Sequence, residues 1–338
     1  MNPQDEKYTR FALTREMMDV ADVMRGFDPA RAAAFSKTIA EVGRLLLTGE
    51  GSSRIFPAKN AIRKALTWGA DLQVVTEGSR QAATYDLSDF AVFAASNSGR
   101  TNEVVKLAGK LRDAGHRHVY GLTANEDTVL SRHAADTLVL TCGWEQAVAA
   151  TKSVAEQGLV YQSIVSHAAG RDMAADLAGA AEKVSEALSM PIDPEIVSAA
   201  AGANIIYFAG YNDGVAEELT LKTNEITRKS SDFLEGTYAV HGIEEVMDAG
   251  DVVFVVEPIL EELPKFKEAL VDGVGLKVVA IATQQTELPT LVVPEAGAMN
   301  PYVHLAAGWN LLVEIGLSLG IDLDKPVRAR KVGNEFTG

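Results

Sequence analysis

The feature that most constrains the fold is an alternation of short apolar runs with amphipathic stretches, joined by glycine-containing turns. In residues 90–115, the run FAVFAAS is followed by the turn NSGRT and then by a helical pattern that ends at Gly115. The same order occurs at residues 44–66 and, in the second half, at residues 204–222. Such alternation is typical of parallel sheets with helices on both faces. The sequence therefore predicts an α/β protein.

The two halves of the chain share one order of predicted elements. Each has four apolar runs with strand character and closes with a long helix, predicted at about 145–169 and at 301–320. We therefore expect two similar domains. The predicted organisation is a helical lead-in over 1–28, a first domain over 29–172, a second domain over 193–330 and a C-terminal tail over 331–338.

Composition and net charge argue against several classes of function. The 338 residues carry a formal net charge of −15, which disfavours nucleic acid and anionic membranes as partners. No apolar run is long enough for a membrane helix, and the polar start MNPQDEKYTRF resembles no targeting peptide. The single cysteine, Cys142, lies in an apolar run and is expected to be inert; it fits a cytoplasmic location. Because the net charge is negative, an anionic ligand would have to be held by hydrogen-bond donors within its binding site.

Two polar turns are candidates for such donors. Ser96, Ser98 and Thr101 place three hydroxyls in one turn between a strand and a helix, where free backbone N–H groups and the helix dipole favour an anion. The segment 49–54 is a second turn of this kind after another strand. Both turns should meet at the carboxyl edge of the sheet, where open α/β sheets bind ligands. The alternative is that these residues only cap helices.

The second half contains a candidate acid–base group. Lys222 and Glu225 are three residues apart on a predicted helix, and the neighbouring Leu219 and Ile226 suggest that this face points inward. A partly desolvated carboxylate beside an ammonium group is a plausible base, although a surface ion pair is the simpler reading. His241 follows in a loop and could shuttle protons, or be structural. No zinc-site spacing is present among the six histidines.

Five segments, in this order, make the chain resemble the tandem sugar-isomerase (SIS) domain proteins, in particular the isomerase half of glucosamine-6-phosphate synthase without its glutaminase domain. They are G-S-S at 51–53, S-N-S-G-R-T at 96–101, E-Q-A-V-A-A-T-K at 145–152, the pair Lys222 and Glu225 followed by His241 sixteen positions after the glutamate, and Asp324-Lys325-Pro326 with Lys331.

This resemblance implies two flavodoxin-like domains that need no metal or cofactor. It implies that Glu225 moves a proton between C1 and C2 through an enediol, with Lys222 positioning the oxygens. It also implies that His241 opens the sugar ring in the site of a neighbouring subunit of a homodimer, and that Lys331 closes over the substrate. The implied substrate- and phosphate-binding residues are Gly51, Ser52, Ser53, Arg54, Ser96, Asn97, Ser98, Thr101, Val148 and Ala150.

The predicted function is therefore an aldose–ketose isomerase acting on a sugar phosphate. An isomerising deaminase or deglycase of an amino-linked sugar phosphate is the first alternative, and a sugar-phosphate-binding regulator is the second. Tyr238, Ile243 and Ala150 depart from the family's usual Glu, Pro and Ser. Arg54 and Arg100 add a cation beside each turn, which leaves open a sugar sulfonate in place of a phosphate.

Overall fold

The computed structural model describes residues 1–337 and divides the chain into two compact units. Unit I contains the first sheet and comprises residues 22–146, 150–178 and the segment from 328 onward. Unit II contains the second sheet and comprises residues 1–21, 147–149 and 179–327. The chain begins with three short helices, α1 (Glu6–Thr9), α2 (Ala12–Met18) and α3 (Val20–Arg25).

Unit I is built on a five-stranded parallel sheet. Its strands are β1 (Arg44–Gly49), β2 (Gln73–Gly78), β3 (Ala91–Ala95), β4 (Val119–Thr123) and β5 (Asp136–Val139). Its helices are α4 (Ala33–Val42), α5 (Ile55–Trp68), α6 (Ser79–Ala82), α7 (Asn102–Asp113), α8 (Lys152–Ala168) and α9 (Met173–Leu177). The central strand β3 is buried along its whole length, which explains why its sequence is entirely apolar.

Unit II is also built on a five-stranded parallel sheet. Its strands are β6 (Ile205–Gly210), β7 (Ser230–Glu235), β8 (Val252–Val256), β9 (Lys277–Ala282) and β10 (Thr290–Val292). Its later helices are α10 (Ala180–Ser189), α11 (Pro194–Gly202), α12 (Val215–Lys222), α13 (Leu263–Phe266) and α14 (Asn300–Ser318). A π-helical turn, Thr223–Thr227, continues α12, and a second one spans Lys267–Val274.

Both sheets have the same strand order. It runs β2-β1-β3-β4-β5 in unit I and β7-β6-β8-β9-β10 in unit II. In each sheet the connections change direction between the first strand and the third, at β1/β3 and at β6/β8. This is the point at which open α/β sheets take their ligands. The α/β class with two parallel sheets flanked by helices is confirmed.

Each sheet has one strand more than the sequence predicted. The missed strands, β2 and β7, lie at sheet edges and are largely half-buried or exposed. Their sequences, QVVTEG and SSDFLE, therefore lack the continuous apolar run by which the central strands were recognised. Within residues 1–337, no helix is long and apolar enough to cross a membrane.

Candidate functional site

The two polar turns lie side by side at the carboxyl edge of the unit I sheet. Strands β1 and β3 are paired so that Thr48 faces Ala94, immediately before the two turns. The strand ends are very close, since a Cβ atom on Gly49 would lie 3.0 Å from the carbonyl oxygen of Ala95. The strand order thus places turns 49–54 and 96–101 together at the switch point of this sheet.

The 96–101 loop is closed by its own hydroxyl groups. The Oγ of Ser96 lies 2.8 Å from Oγ1 of Thr101 and accepts a hydrogen bond from the Thr101 amide at 3.3 Å. The Oγ of Ser98 accepts one from the Arg100 amide at 3.2 Å. Because each serine oxygen accepts from an amide, its own proton can point toward another acceptor. Ser98 is partly buried and can offer such a donor at the surface of the loop, whereas Ser96 is buried and its hydroxyl pairs with that of Thr101.

The expectation of free amides at the start of α7 is wrong for Asn102, the first residue of the helix, and the two loop amides before it also have acceptors. The amides of Arg100 and Thr101 donate to the loop serines, and the Asn102 amide donates to the carbonyl oxygen of Asn334 at 3.0 Å. The physical reason is that the first N–H groups of a helix have no partner within it and are satisfied by nearby acceptors. Hydroxyl groups, rather than these amides, are the donors that the loop offers.

Gly99 is the residue that allows this loop geometry. Its φ angle is +64°, and a Cβ atom there would lie 2.3 Å from the Cβ of Thr128. Both the backbone conformation and the space exclude a side chain.

We expect Gly99→Ala to lower the free energy of unfolding by about 1–3 kcal/mol, through left-handed strain and the clash with Thr128. The matched control is Gly115→Ala, where φ is +79° but a Cβ would meet nothing within 4 Å. Urea unfolding of both variants separates the cost of left-handed backbone strain, which both variants carry, from the cost of the clash, which only Gly99→Ala carries. An equal loss in both would show that the contact with Thr128 is unimportant.

The second turn carries a guanidinium group beside a carboxylate. Gly51–Ser53 forms a 3-10 turn that leads into α5, with Ser52, Ser53 and Arg54 all partly buried. The Arg54 guanidinium makes no hydrogen bond or ion pair with any residue in the described range 1–337. The Oε1 of Glu50 accepts the Ser79 amide at 2.9 Å. Burial raises the pKa of Glu50, and Glu103 adds to the increase while the Ser79 amide and Arg54 oppose it.

A buried carboxylate fixes the loop that follows β5. Glu145 is fully buried and accepts hydrogen bonds from the Thr151 amide at 2.7 Å, from the Ser153 hydroxyl, and from Nδ2 of Asn97 at 3.1 Å. These bonds hold residues before Lys152 in a loop, which is why the helix predicted from about residue 145 starts only at Lys152. Glu145 also links this loop to the 96–101 loop. Ala150 is partly buried beside it.

The C-terminal segment packs on the same unit. Glu335 pairs with Arg100 at 3.1 Å, and the Phe336 amide donates to the Arg100 carbonyl at 2.8 Å. A cavity of about 830 Å³ lies between this segment and the loops of the sheet, and Lys331 and Ser98 both line it. Two of the predicted site residues thus face one cavity of unit I.

Unit II buries a three-residue charge cluster. The Nζ of Lys222 lies 2.7 Å from Oε2 of Glu225 and 3.2 Å from Oε1 of Glu218. The side chains of Lys222 and Glu218 are fully buried, whereas that of Glu225 is 28% exposed. The simpler reading as a surface ion pair is therefore wrong. Burial alone would lower the pKa of Lys222, but the attraction of Glu225 and Glu218 outweighs it and raises that pKa.

The backbone at Glu225 is not the continuous α-helix that the sequence predicted. Helix α12 ends at Lys222, and Glu225 lies in the π-helical turn that follows. Such turns occur frequently at functional sites. The element packs tightly on α14, where a Cβ on Gly308 would lie 2.4 Å from the Leu219 side chain and one on Gly316 would lie 3.1 Å from the Ile226 carbonyl oxygen.

The remaining predicted residues lie on loops of unit II. His241 is exposed at the end of a 3-10 turn, Tyr238–Val240, and its ring makes no hydrogen bond with the described part of the chain. Val148 is partly buried in the short segment 147–149. Cys142 is buried in unit I, and burial raises the pKa of its thiol, which makes it a poor nucleophile.

Sequence reasoning missed two buried carboxylates. Glu218 lies one helical turn before Lys222, a spacing that could have identified it as a second partner of the ammonium group. Glu145 opens one of the five segments of the family resemblance, but the sequence did not indicate its role as an anchor, because its partners at 97, 151 and 153 meet only in the folded chain.

Two parallel sheets of one strand order, each with helices on both faces, agree with the fold expected from the resemblance to tandem sugar-isomerase (SIS) proteins. Comparison with known proteins confirms the resemblance to this family. The chain is 28% identical to the isomerizing glutamine–fructose-6-phosphate aminotransferase of Aeropyrum pernix, with 88% of this chain and 52% of that protein covered. It spans about half the length of the curated relatives it matches. No protein-family model matches the sequence.

Solved structures establish the fold over nearly the whole chain. The C-terminal domain of glucosamine-fructose-6-phosphate aminotransferase from Francisella tularensis matches with a TM-score of 0.75 at 18% identity, covering 95% of this chain and all of that domain. Tagatose-6-phosphate ketose/aldose isomerase from Escherichia coli matches with a TM-score of 0.76 at 16% identity, covering 96% and 99% of the two chains.

Proposed function

We propose that this protein is an aldose–ketose isomerase that acts on a sugar phosphate. The names of its relatives support the proposal, since they include an isomerizing aminotransferase of fructose 6-phosphate and a ketose/aldose isomerase. Isomerisation moves a hydrogen between C2 and C1 and a hydroxyl proton between O2 and O1, with no atom gained or lost, so proton-transfer groups and a charge-stabilising environment are sufficient.

The observation that carries the proposal is the ion pair of Glu225 with a buried ammonium group. Lys222 lies 2.7 Å from the Glu225 carboxylate and is sealed from water, while Glu225 keeps 28% of its side chain exposed. A carboxylate in this setting has an ammonium partner and can still contact a substrate. In the proposed reaction Glu225 removes the proton from C2 of the open-chain aldose while O1 gains a proton, which gives the enediol. The same carboxyl group then returns its proton to C1 while O2 loses its hydroxyl proton, which gives the ketose.

The other predicted residues take supporting roles in this proposal. The hydroxyls of Ser52, Ser53, Ser96, Ser98 and Thr101 bind the phosphate, with Arg54 adding positive charge and Lys331 closing over the ligand. His241 opens the sugar ring and is contributed by the second copy of a homodimer; its exposed ring suits a role outside its own unit. The dimer and a cytoplasmic location belong to the same proposal and rest on the family resemblance.

The proposal is tested by incubating the purified protein in D₂O with a panel of hexose 6-phosphates, hexosamine 6-phosphates and hexose 6-sulfonates. We expect at least one member to exchange its C2 proton for deuterium and to interconvert with its isomer, as followed by ¹H NMR. The sulfonates test whether the oxyanion must be a phosphate.

Other results of the same panel point to the alternatives. Release of ammonia, or of an amine from an N-linked sugar phosphate, would identify an isomerising deaminase or deglycase. Binding of a sugar phosphate without exchange or turnover would contradict enzymatic function and favour a regulator.

A further inference from the structure

An aromatic side chain borders the cavity beside the 96–101 loop. Trp144 lines the same space of about 830 Å³ as Ser98 and Lys331 and is 52% exposed. Its indole N–H makes no hydrogen bond with the described residues 1–337. A tryptophan gains stability from burial and from a partner for its N–H, and this one has neither in full.

The chain beside Trp144 is anchored by the next residue. Glu145 is fully buried and bonded to the Thr151 amide and to Asn97, which fixes the backbone directly after Trp144. The lining residue Asn125 is attached to the same loop, because the Asn97 carbonyl accepts the Ala124 amide at 3.0 Å and Nδ2 of Asn125 at 3.1 Å. The segments that carry Trp144 and Asn125 are thus both attached to the loop that carries Ser98.

The cavity combines this aromatic face with polar groups. Asn125, Arg132 and Lys331 line it together with Ser98 and Trp144. The carboxylates of Glu126, Asp127 and Glu335 line it as well, and two of them are paired with arginines, Asp127 with Arg132 at 3.2 Å and Glu335 with Arg100 at 3.1 Å. Its volume lies in the range of small-molecule sites, in which apolar and aromatic faces surround a few polar groups that fix orientation. A sugar suits such a lining, since one face of its ring carries C–H groups and its edge carries hydroxyls.

We propose that Trp144 is the stacking face of a sugar subsite, against which the C–H face of the substrate packs while its terminal oxyanion is held by the 96–101 loop. The inference rests on the proposed function, because it takes the substrate to be a sugar with such an oxyanion. It assigns Trp144 as a specificity-determining residue that distinguishes a sugar phosphate from phosphate alone.

The test uses tryptophan fluorescence and isothermal calorimetry on the full chain, with glucose 6-phosphate, fructose 6-phosphate and inorganic phosphate as probes. We expect at least one sugar phosphate to change the fluorescence, and Trp144→Phe to abolish that change. Trp144→Ala should weaken sugar-phosphate binding about tenfold or more and leave inorganic phosphate binding unchanged. Trp68→Phe is the control and should keep the signal, since Trp68 packs under Lys64 and Arg171 away from the cavity.

The outcomes separate this inference from the function on which it rests. If sugar phosphates bind the wild type and Trp144→Ala with equal affinity, the stacking role is wrong while the proposed function stands. If Ser98→Ala loses inorganic phosphate and sugar phosphate alike, the oxyanion role of the loop is supported independently of Trp144. If neither these probes nor any member of the substrate panel binds the wild type, both the subsite and the proposed function are overturned.

Discussion

Replacing Glu225 by Gln should lower kcat for isomerisation by about 100- to 10,000-fold, the range that a positioned general base contributes. Glutamine keeps the shape of the side chain but cannot take the C2 proton. KM should change little, because the proposed phosphate contacts lie in the loops of unit I. The measurement is C2 deuterium exchange together with ketose formation, on whichever substrate the panel identifies.

The control for this prediction is Glu268→Gln. Glu268 pairs with Lys265 at 3.1 Å with the same spacing of three residues, but both side chains are exposed. It should leave kcat unchanged. The fold should survive Glu225→Gln, since Lys222 keeps Glu218 at 3.2 Å. Full turnover in Glu225→Gln would eliminate every mechanism that uses this carboxylate as the base.

Replacing Lys222 by Met should destabilise unit II by about 3–5 kcal/mol, the cost of leaving a buried charge without its partner. Removing the ammonium group leaves Glu218 fully buried beside a methionine. Urea unfolding followed by Trp309, which is buried in α14, reports on this unit when Trp68 and Trp144 are replaced by Phe.

Two further variants make this second prediction specific. The double change Lys222→Met with Glu218→Gln should recover part of the loss, because it removes the unpaired charge. The exposed counterpart Lys265→Met should cost less than about 1 kcal/mol. If the single and double variants unfold at the same urea concentration, the cost comes from packing and not from charge.

The pH dependence of this stabilisation follows from the raised pKa of Lys222. A lysine whose pKa is higher in the folded chain stabilises the fold fully below its ordinary value of 10.5, and the contribution falls as pH rises toward the folded value. The penalty of Lys222→Met should therefore be constant from neutral pH to about pH 10.

Much of the fold could be predicted because its central strands are apolar along their whole length. Runs such as FAVFAA and VVFVV are buried on both faces, and their order with the glycine turns indicates a parallel sheet. The edge strands β2 and β7 could not be found in this way, because an edge strand is only partly covered and its sequence resembles a loop. The late start of α8 depends on hydrogen bonds of Glu145 to Thr151 and Ser153, which form only when this carboxylate is buried in the folded chain.

The candidate site could be predicted in part for a related reason. The Lys222–Glu225 pair and the hydroxyls of 96–101 are local patterns, so spacing alone brings their members together. The burial of Lys222 and the capping of the Asn102 amide by Asn334 depend on segments that meet only after folding. The chemical groups that lie close in sequence could therefore be predicted from the sequence, whereas the solvent exposure of each group could not.

The hydroxyl bonds within 96–101 have a consequence for the cost of recognition. Ordering a backbone costs about 1–2 kcal/mol per residue, and the bonds that Ser96, Ser98 and Thr101 form within the loop place part of this cost in folding. If the loop binds an oxyanion as proposed, less of the binding free energy is lost to ordering its backbone.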